Sequence, residues 1–494
     1  MKRFWLPSAS VVVWLTFFAG LSLSDWRLVL ISSDGDPCLH RRIGEWMIEH
    51  RKVLDRDQFS HTRFDAPLIS KEWLSEVISA TAGRMAGWNG IVLLSAALIA
   101  TTLWLLLQQL LAEGNEILLS TGLVLVAALA SSTHWLARPH LTTLLLTVVF
   151  AWQLRQFECG GISGLRLLVT LPPLMLLWAN LHGAFFTGFV LLGIYFLGAI
   201  PRRKALTLVG VTVACLASSL INPNGWRLHA QVLDFLRTPE LAGFTNEFRS
   251  PNFHSGGTRG FVLELLVLGG MLLIVRPRLS RTEILLVGVW GYFALHAVRN
   301  VPIFAIVATP ILTRHWNTFL QSSRESRWLD RYRRISGRIT ELHRSADGRV
   351  LIVLAVIVLS AIIVRPRLLG GTPVISTDIL TNRFPVAAVA WLRTNDAVVV
   401  GNMFNDYSWG GYLMLELPDR RVFVDGRNDF YGKELIDEFN TVDDVKPGWD
   451  SVFDKYRVGW TILPPNHGLN ALLALQPDWR RVYVDDVAVI YGRR

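Results

Sequence analysis

Residues 32–46 read SSDGDPCLHRRIGEW and follow directly on an apolar stretch, 8–31, that opens behind Met1-Lys2-Arg3. A bilayer-crossing helix needs about 20 apolar residues. Residues 8–31 therefore read as a span, and the Asp/His/Arg-rich segment as the point where the chain leaves the membrane. No clear small-residue cleavage site follows, so the span reads as retained rather than as a signal peptide. Asp34 and Asp36 stand at the exit, with His40, Arg41 and Arg42 close behind. A carboxylate there can ligate a divalent cation through oxygen or act as a general base. Asp36 before Pro37 also suits a helix N-cap, and both roles stay open.

Working outward, further apolar stretches lie near 88–111, 115–135, 141–157, 165–181, 183–200, 204–221, 260–275, 281–298, 301–315 and 350–365. The reading is a polytopic α-helical membrane protein of about eleven spans. Basic loops set its orientation. With the N-terminus inside, the inside loops carry Arg155 and Arg166, then Arg202-Arg203-Lys204, then Arg276, Arg278 and Arg281, and nine arginines from Arg314 to Arg349. That orientation makes 1–365 a transmembrane domain with long outer loops at 34–87 and 222–259. Residues 366–494 become an extracytoplasmic domain.

Composition agrees. Of 494 residues 51% are apolar and 18% charged, against roughly 25% charged in a soluble domain. This excludes a disordered chain and argues against a purely soluble globule. The 19 tryptophans suit membrane–water interfaces. Residues 367–494 hold 14 Lys/Arg and 17 Asp/Glu, so the net charge of +10 comes from the membrane part. The basic excess sits in short loops and reads as topology, with no nucleic-acid partner expected. Cys38, Cys159 and Cys215 have neither metal-ligand nor disulfide spacing. No internal repeat is evident, which argues against a transporter built from inverted repeats.

The C-terminal segment alternates patterns. VAAVAWLRTN, GGYLMLEL, ELIDEFNTV and LNALLALQ read as helices; AVVVGNM, RRVFVDGR, VGWTILP and RRVYVDDVAVIYG read as strands. Alternation of this kind predicts an α/β layer structure. Its polar positions gather at strand ends, where such domains place ligands: Asp406, Tyr407 and Trp409 after one strand, Asp425 and Arg427 after the next. A capping Asp with core aromatics is the alternative. Other outward polar groups are His134, Arg138 and His140 in THWLARPH, His182 in WANLHGAFFTG, Glu247, Arg249 and His254 in the long later loop, and Arg299. Together they could line one outward cavity for an anionic headgroup, because a guanidinium forks onto phosphate. No G-x-S-x-G, H-E-x-x-H, C-x-x-C, P-loop or G-x-G-x-x-G occurs, so hydrolase, zinc-protease, thiol-redox and nucleotide-fold readings have no support.

These residues resemble those of the polytopic glycosyltransferases of the C superfamily (GT-C), above all the catalytic subunit of oligosaccharyltransferase. Asp36-Pro37-Cys38-Leu39-His40-Arg41-Arg42 is similar to that family's D-P-W-F-N-Y-R after span one. Thr245-Asn246-Glu247-Phe248-Arg249-Ser250-Pro251 is similar to its later loop motif S-V-S-E-H-Q-P. Asn405-Asp406-Tyr407-Ser408-Trp409-Gly410-Gly411-Tyr412 is similar to its W-W-D-Y-G-Y. The family's second outer loop carries a D-x-D-like pair; THWLARPH has no carboxylate.

The resemblance implies transfer of a sugar from a polyprenyl-phosphate-linked donor to an acceptor on the outer face of a bacterial inner membrane. It implies Asp36 and Glu247 as catalytic residues and as ligands of Mg2+ or Mn2+. His40, Arg41, Arg138, His140, His182 and Arg299 would face the donor phosphate, and Asp406, Tyr407, Trp409, Asp425 and Arg427 the acceptor. Arg138 and His140 could replace the charge of the missing acidic pair. The peptide-acceptor role is not carried over. The competing readings are a flippase for lipid-linked sugars, and a non-catalytic anchor presenting the outer domain to a partner.

Overall fold

The computed structural model describes residues 3–199, 202–237, 246–323, 326–368 and 377–494. Every predicted apolar stretch is helical. The first is a bent pair, α1 (Ala9–Leu23) and α2 (Trp26–Ser32), turned by 68° where Ser24 adopts an extended backbone. Two helices of the 34–87 loop follow, α3 (Asp36–His50) and α4 (Trp73–Ala86). Next come α5 (Trp88–Ala112), α6 (Ile117–Ser131), α7 (His140–Glu158), α8 (Gly164–Leu181), α9 (Phe186–Gly198) and α10 (Arg202–Ser219). After α11 (Trp226–Arg237) in the 222–259 loop come α12 (Arg259–Gly270), α13 (Arg281–His296), α14 (Val301–Ser322), α15 (Arg327–Ser345) and α16 (Arg349–Leu368).

Four of the described helical segments are long and apolar enough to cross a membrane: Trp88–Ala112, Ile117–His134, Gly164–Leu181 and Gly256–Val275. The bent pair makes a fifth if it is one span. Leu165, Leu266 and Leu273 on these segments, and Leu206 and Val213 on α10, are exposed large apolar side chains, a surface that suits lipid and not water. One ionisable group breaks the apolar pattern: Glu264 on α12 is buried, and neither carboxylate oxygen has a hydrogen-bond partner among the described residues.

Strands β1 (Arg3–Pro7) and β2 (Ala346–Asp347) pair in parallel at the junction of α15 and α16. The C-terminal part carries a four-stranded mixed sheet, order β3-β4-β6-β5, from Asn402–Asn405, Val458–Leu463, Trp479–Val484 and Val489–Arg493. Its helices are α17 (Val386–Thr394), α18 (Gly410–Glu416), α19 (Asn428–Asp443), α20 (Trp449–Lys455) and α21 (Gly468–Leu473). The predicted α/β layering is present, with one correction: RRVFVDGR is not a strand of this sheet. Val422 bridges instead to Ser60 of the 34–87 loop, its N–H donating to Phe59 O (2.9 Å) and its carbonyl accepting from His61 N–H (3.0 Å). Phe423 and Val424 are fully buried, so apolar alternation correctly indicates burial here, but the backbone finds its partners in the loop.

That loop fastens the C-terminal layer to the helical part. His61 Nε2 donates to Met403 O (2.9 Å), Thr62 Oγ1 to Phe423 O (2.7 Å) and Arg63 Nη2 to Tyr431 O (2.9 Å). Burial lowers the His61 pKa to about 4, because a charged imidazole is disfavoured there. One hydrophobic core runs from the membrane helices through Cys38 and Leu39 to Trp409, Tyr412 and Leu413.

Candidate active site

The bend between α1 and α2 brings the start of α3 beneath the loop between α6 and α7. Ala137 N–H donates to Leu30 O (2.8 Å), which pins that loop to α2 and sets Arg138 over the α3 terminus. Asp36 is the first residue of α3, with Gly35 at the N-cap and Pro37 behind it. The capping reading of Asp36 is thereby corrected. It is Asp34 Oδ1 that accepts the Asp36 N–H (3.0 Å), and the Asp36 carboxylate is free to face Arg138.

Arg138 is the hub. Its guanidinium pairs with Asp34, with Asp36 Oδ2 at 3.2 Å, and with Glu247. His134 Nε2 stands 4.0 Å from the other Glu247 oxygen. Asp36 and Glu247, far apart in sequence, thus meet at one guanidinium. Thr245, the first residue of the Glu247 motif, lies outside the described residues. The carboxylate side chains are 23–25% exposed, against 14% for Arg138, so the hub is open to a ligand. Burial raises the Asp36 pKa, and Asp34 and Glu247 add to it against the pull of Arg138. Burial works against Glu247 too, but Arg138 and His134 bring it down to about 2. Two carboxylates with divergent pKa values suit a pair with divided roles, one holding charge and one handling a proton.

The expected Mg2+ or Mn2+ site at Asp36 and Glu247 has the carboxylate oxygens such an ion takes, but Arg138 stands at that place. The guanidinium of Arg138 sits among the three carboxylates and supplies the positive charge that a bridging ion would bring. His140 does not share that role. Its Nε2–H donates to the His134 carbonyl (2.6 Å), and its ring packs on His134 at 4.3 Å.

A second polar cluster lies one helical turn along α3. His40 Nδ1 is 3.3 Å from Glu76 Oε1 and 3.7 Å from Glu72 Oε2, and His182 Nε2 is 3.3 Å from Glu72 Oε1. Lys71 Nζ donates to Asp429 Oδ2 (2.6 Å), which also accepts from Gln231 Nε2 (3.0 Å). Glu76 and Glu72 hold the His40 pKa up against the effect of burial, while burial raises that of Glu72. Arg299 stacks over Phe248 at 4.3 Å and has no carboxylate within ion-pair distance among the described residues. Burial lowers its pKa, and a guanidinium with no carboxylate partner among the described residues can pair with an anion. Arg41, by contrast, turns away: its Nε donates to Glu45 Oε1 (2.8 Å) and it stacks on Trp88.

The expected acceptor residues separate into two groups. Tyr407 is half-buried near Asp36, and Gly426 closes the site wall: a Cβ there would overlap the Asp36 carboxylate. Asp406 accepts from Ser408 N–H (2.8 Å) and caps a short turn. Trp409 is buried, donating to Arg383 O (2.9 Å). Asp425 and Arg427 are spent on each other (2.6 Å), on Asp57 (2.9 Å from Arg427) and on Tyr431, whose hydroxyl donates to Asp425 (2.6 Å). For Trp409, Asp425 and Arg427 the geometry is that of a docking joint, not of an open cleft.

Glu72, Glu76, Lys71 and Asp429 are not singled out by the sequence reading. The i,i+4 spacing of Glu72 and Glu76 in SKEWLSE is the available signal, since it stacks two carboxylates on one helix face.

No family model and no curated protein matches the chain. Solved structures do. An archaeal oligosaccharyltransferase, AglB from Archaeoglobus fulgidus in complex with an inhibitory peptide and a dolichol-phosphate, is 10% identical with a TM-score of 0.56, over 92% of this chain and 69% of that one. ArnT from Cupriavidus metallidurans in the apo state is 14% identical with a TM-score of 0.50, over 98% of both chains. ArnT bound to undecaprenyl phosphate is 16% identical with a TM-score of 0.50, over 97% of this chain and 98% of that one. The chain shares the fold of these AglB and ArnT structures.

Proposed function

We propose that the protein transfers a sugar from a polyprenyl-phosphate-linked donor to an acceptor on the outer face of a bacterial inner membrane. The N-terminus lies inside and residues 366–494 outside, as the basic loops require. The observation that carries this reading is the Arg138 centre, where carboxylates from the first and later outer loops meet at one partly open point. The donor's lipid tail lies among the apolar helices and its phosphate faces Arg299, with His182 and Lys71 nearby. The acceptor nucleophile attacks the anomeric carbon, the bond from that carbon to the phosphate oxygen breaks, and the lipid phosphate leaves with the electron pair. Asp36 takes the proton from the acceptor, for which its raised pKa suits it. Arg138 holds Asp34 and Glu247 in place and provides fixed positive charge in the role the resemblance gives to a metal. Tyr407 borders the acceptor side.

The test is complementation of a deletion strain with wild type or Asp36→Asn at equal protein level, read out on surface glycans and glycoproteins. Wild type restores the missing glycan and Asp36→Asn does not; restoration by both overturns the assignment. The flippase reading has one observation in its favour, the buried Glu264 on α12. Glu264→Gln that leaves glycan transfer intact removes it.

A further inference from the structure

We propose that His40, Glu72 and Glu76 form a binding site for a divalent transition metal of the zinc class, separate from the Arg138 centre. Imidazole nitrogen and carboxylate oxygen are ligands that such ions take. The donor atoms of the three residues all lie within 4.8 Å of one another. Four ligands held tetrahedrally at about 2.0–2.1 Å from an ion stand about 3.3 Å apart. The separations from His40 Nδ1, 3.3 Å to Glu76 and 3.7 Å to Glu72, are close to that edge.

Hydrogen bonding alone does not account for the cluster. His40 Nδ1 faces both carboxylates, and one N–H cannot serve both well. Glu76 is 5% exposed, and its Oε2 has no hydrogen-bond partner among the described residues. Lys71, the adjacent cation, is committed to Asp429. The helices are also built to hold the group. Gly44, one turn beyond His40, lets α3 press against the Glu76 carbonyl, where a Cβ would clash. This close approach sets the His40 ring over the Glu76 side chain.

A supporting shell is present. Trp178 Nε1 donates to Thr143 Oγ1 (2.8 Å), and Thr143 Oγ1 lies 2.8 Å from His182 Nδ1. The Thr143 hydroxyl then donates to Nδ1, and His182 Nε2–H donates to Glu72 Oε1 at 3.3 Å. That chain orients Glu72 and leaves Oε2 for the ion, as outer-shell partners of metal ligands do. Three protein ligands leave an open coordination position. His40 lies four residues beyond Asp36 on α3, so the ion adds positive charge on that side of the carboxylate centre.

The experiment uses the full-length protein in lipid nanodiscs, stripped with a chelator, equilibrated with Zn2+ and desalted, with elemental analysis of what remains. Wild type and Glu247→Gln each retain about one equivalent, while Glu76→Gln and His40→Gln lose it, by more than the about 10- to 100-fold that outer-shell changes cost. Co2+ in place of Zn2+ gives wild type a visible absorption band typical of low coordination number. This spectrum decides the matter even if a variant fails to fold. Retention of no ion by wild type overturns the proposal, as does loss in Glu247→Gln with retention in Glu76→Gln. No substrate is present, so failure here is distinct from failure of the proposed transfer reaction.

Discussion

Two arginines in this molecule sit between carboxylates, and they do opposite work. Arg427 faces Asp57 and Asp425, both fully buried, and every group around it is tied down: Asp57 also accepts from Ser60 N–H (2.9 Å) and Ser60 Oγ (2.6 Å), and Asp425 from the Tyr431 hydroxyl. Arg138 faces three carboxylates, each about a quarter exposed, with one cation for three anions. The first arrangement is closed, its carboxylates held by Ser60 and Tyr431. The second is more exposed, with one guanidinium shared by three carboxylates. A buried ion pair gives no net stability unless its remaining lone pairs are satisfied, so the first reads as a joint and the second as a site held ready for chemistry.

The comparison breaks first on activity. Asp36→Asn should lower sugar transfer by about 10²- to 10⁴-fold, and Arg138→Gln by at least about 100-fold, while gel filtration finds both folded. Added Mn2+ should partly rescue Arg138→Gln, because three carboxylates without their guanidinium form an oxygen site for a divalent ion. Absence of rescue, with the variant folded, argues against a charge role for Arg138. Arg427→Gln should behave in the reverse order. It leaves Asp57 and Asp425 buried without their cation, a loss of about 3–5 kcal/mol, visible as a lowered thermal midpoint before any change in substrate handling.

The joint should also respond to pH. Folded His61 takes up its proton near pH 4, against 6.5 for a free imidazole. Below pH 6.5 the unfolded chain binds that proton more readily, so stability falls as pH drops through this window and levels off beneath it. The shift corresponds to about 3 kcal/mol. In His61→Gln the amide still donates to Met403 O, and the thermal midpoint should fall less steeply between pH 6.5 and 4.

The two centres differ in how far the sequence reveals them. The Arg138 centre is legible because each contributor sits where a long polar segment meets an apolar stretch: Asp36 after 8–31, Arg138 between two stretches, Glu247 in a long outer loop. The Arg427 joint reads from sequence as acceptor-binding, whereas the structure shows its side chains buried against one another. A carboxylate and an arginine at a strand-like terminus carry no local mark of burial, and their partner Asp57 lies far away in the chain. RRVFVDGR misleads for a related reason, since apolar alternation reports buried side chains and is silent on which backbone completes the hydrogen bonds. His40 is legible as polar, but its partners Glu72 and Glu76 are not, because only the packing of α4 on α3 brings them together.

The smallest effects sharpen the boundary of the open centre. Asp406→Ala removes the acceptor of Ser408 N–H and should cost about 1 kcal/mol. Arg41→Gln removes a pair with Glu45 that is 21% and 15% exposed and should cost about 1 kcal/mol or less. Neither should change transfer by more than about twofold, since Asp406 is occupied by its own turn and Arg41 points at Trp88. Arg41 is the sharper probe of the two. It lies five residues from Asp36 on α3, and a helix of 3.6 residues per turn sets that position to one side of His40. A large loss of transfer in Arg41→Gln with donor KM raised would show the guanidinium reaching the lipid phosphate after all, and would move the donor cleft to the Trp88 side of α3. An unchanged KM leaves Arg299 as the cation that meets the phosphate.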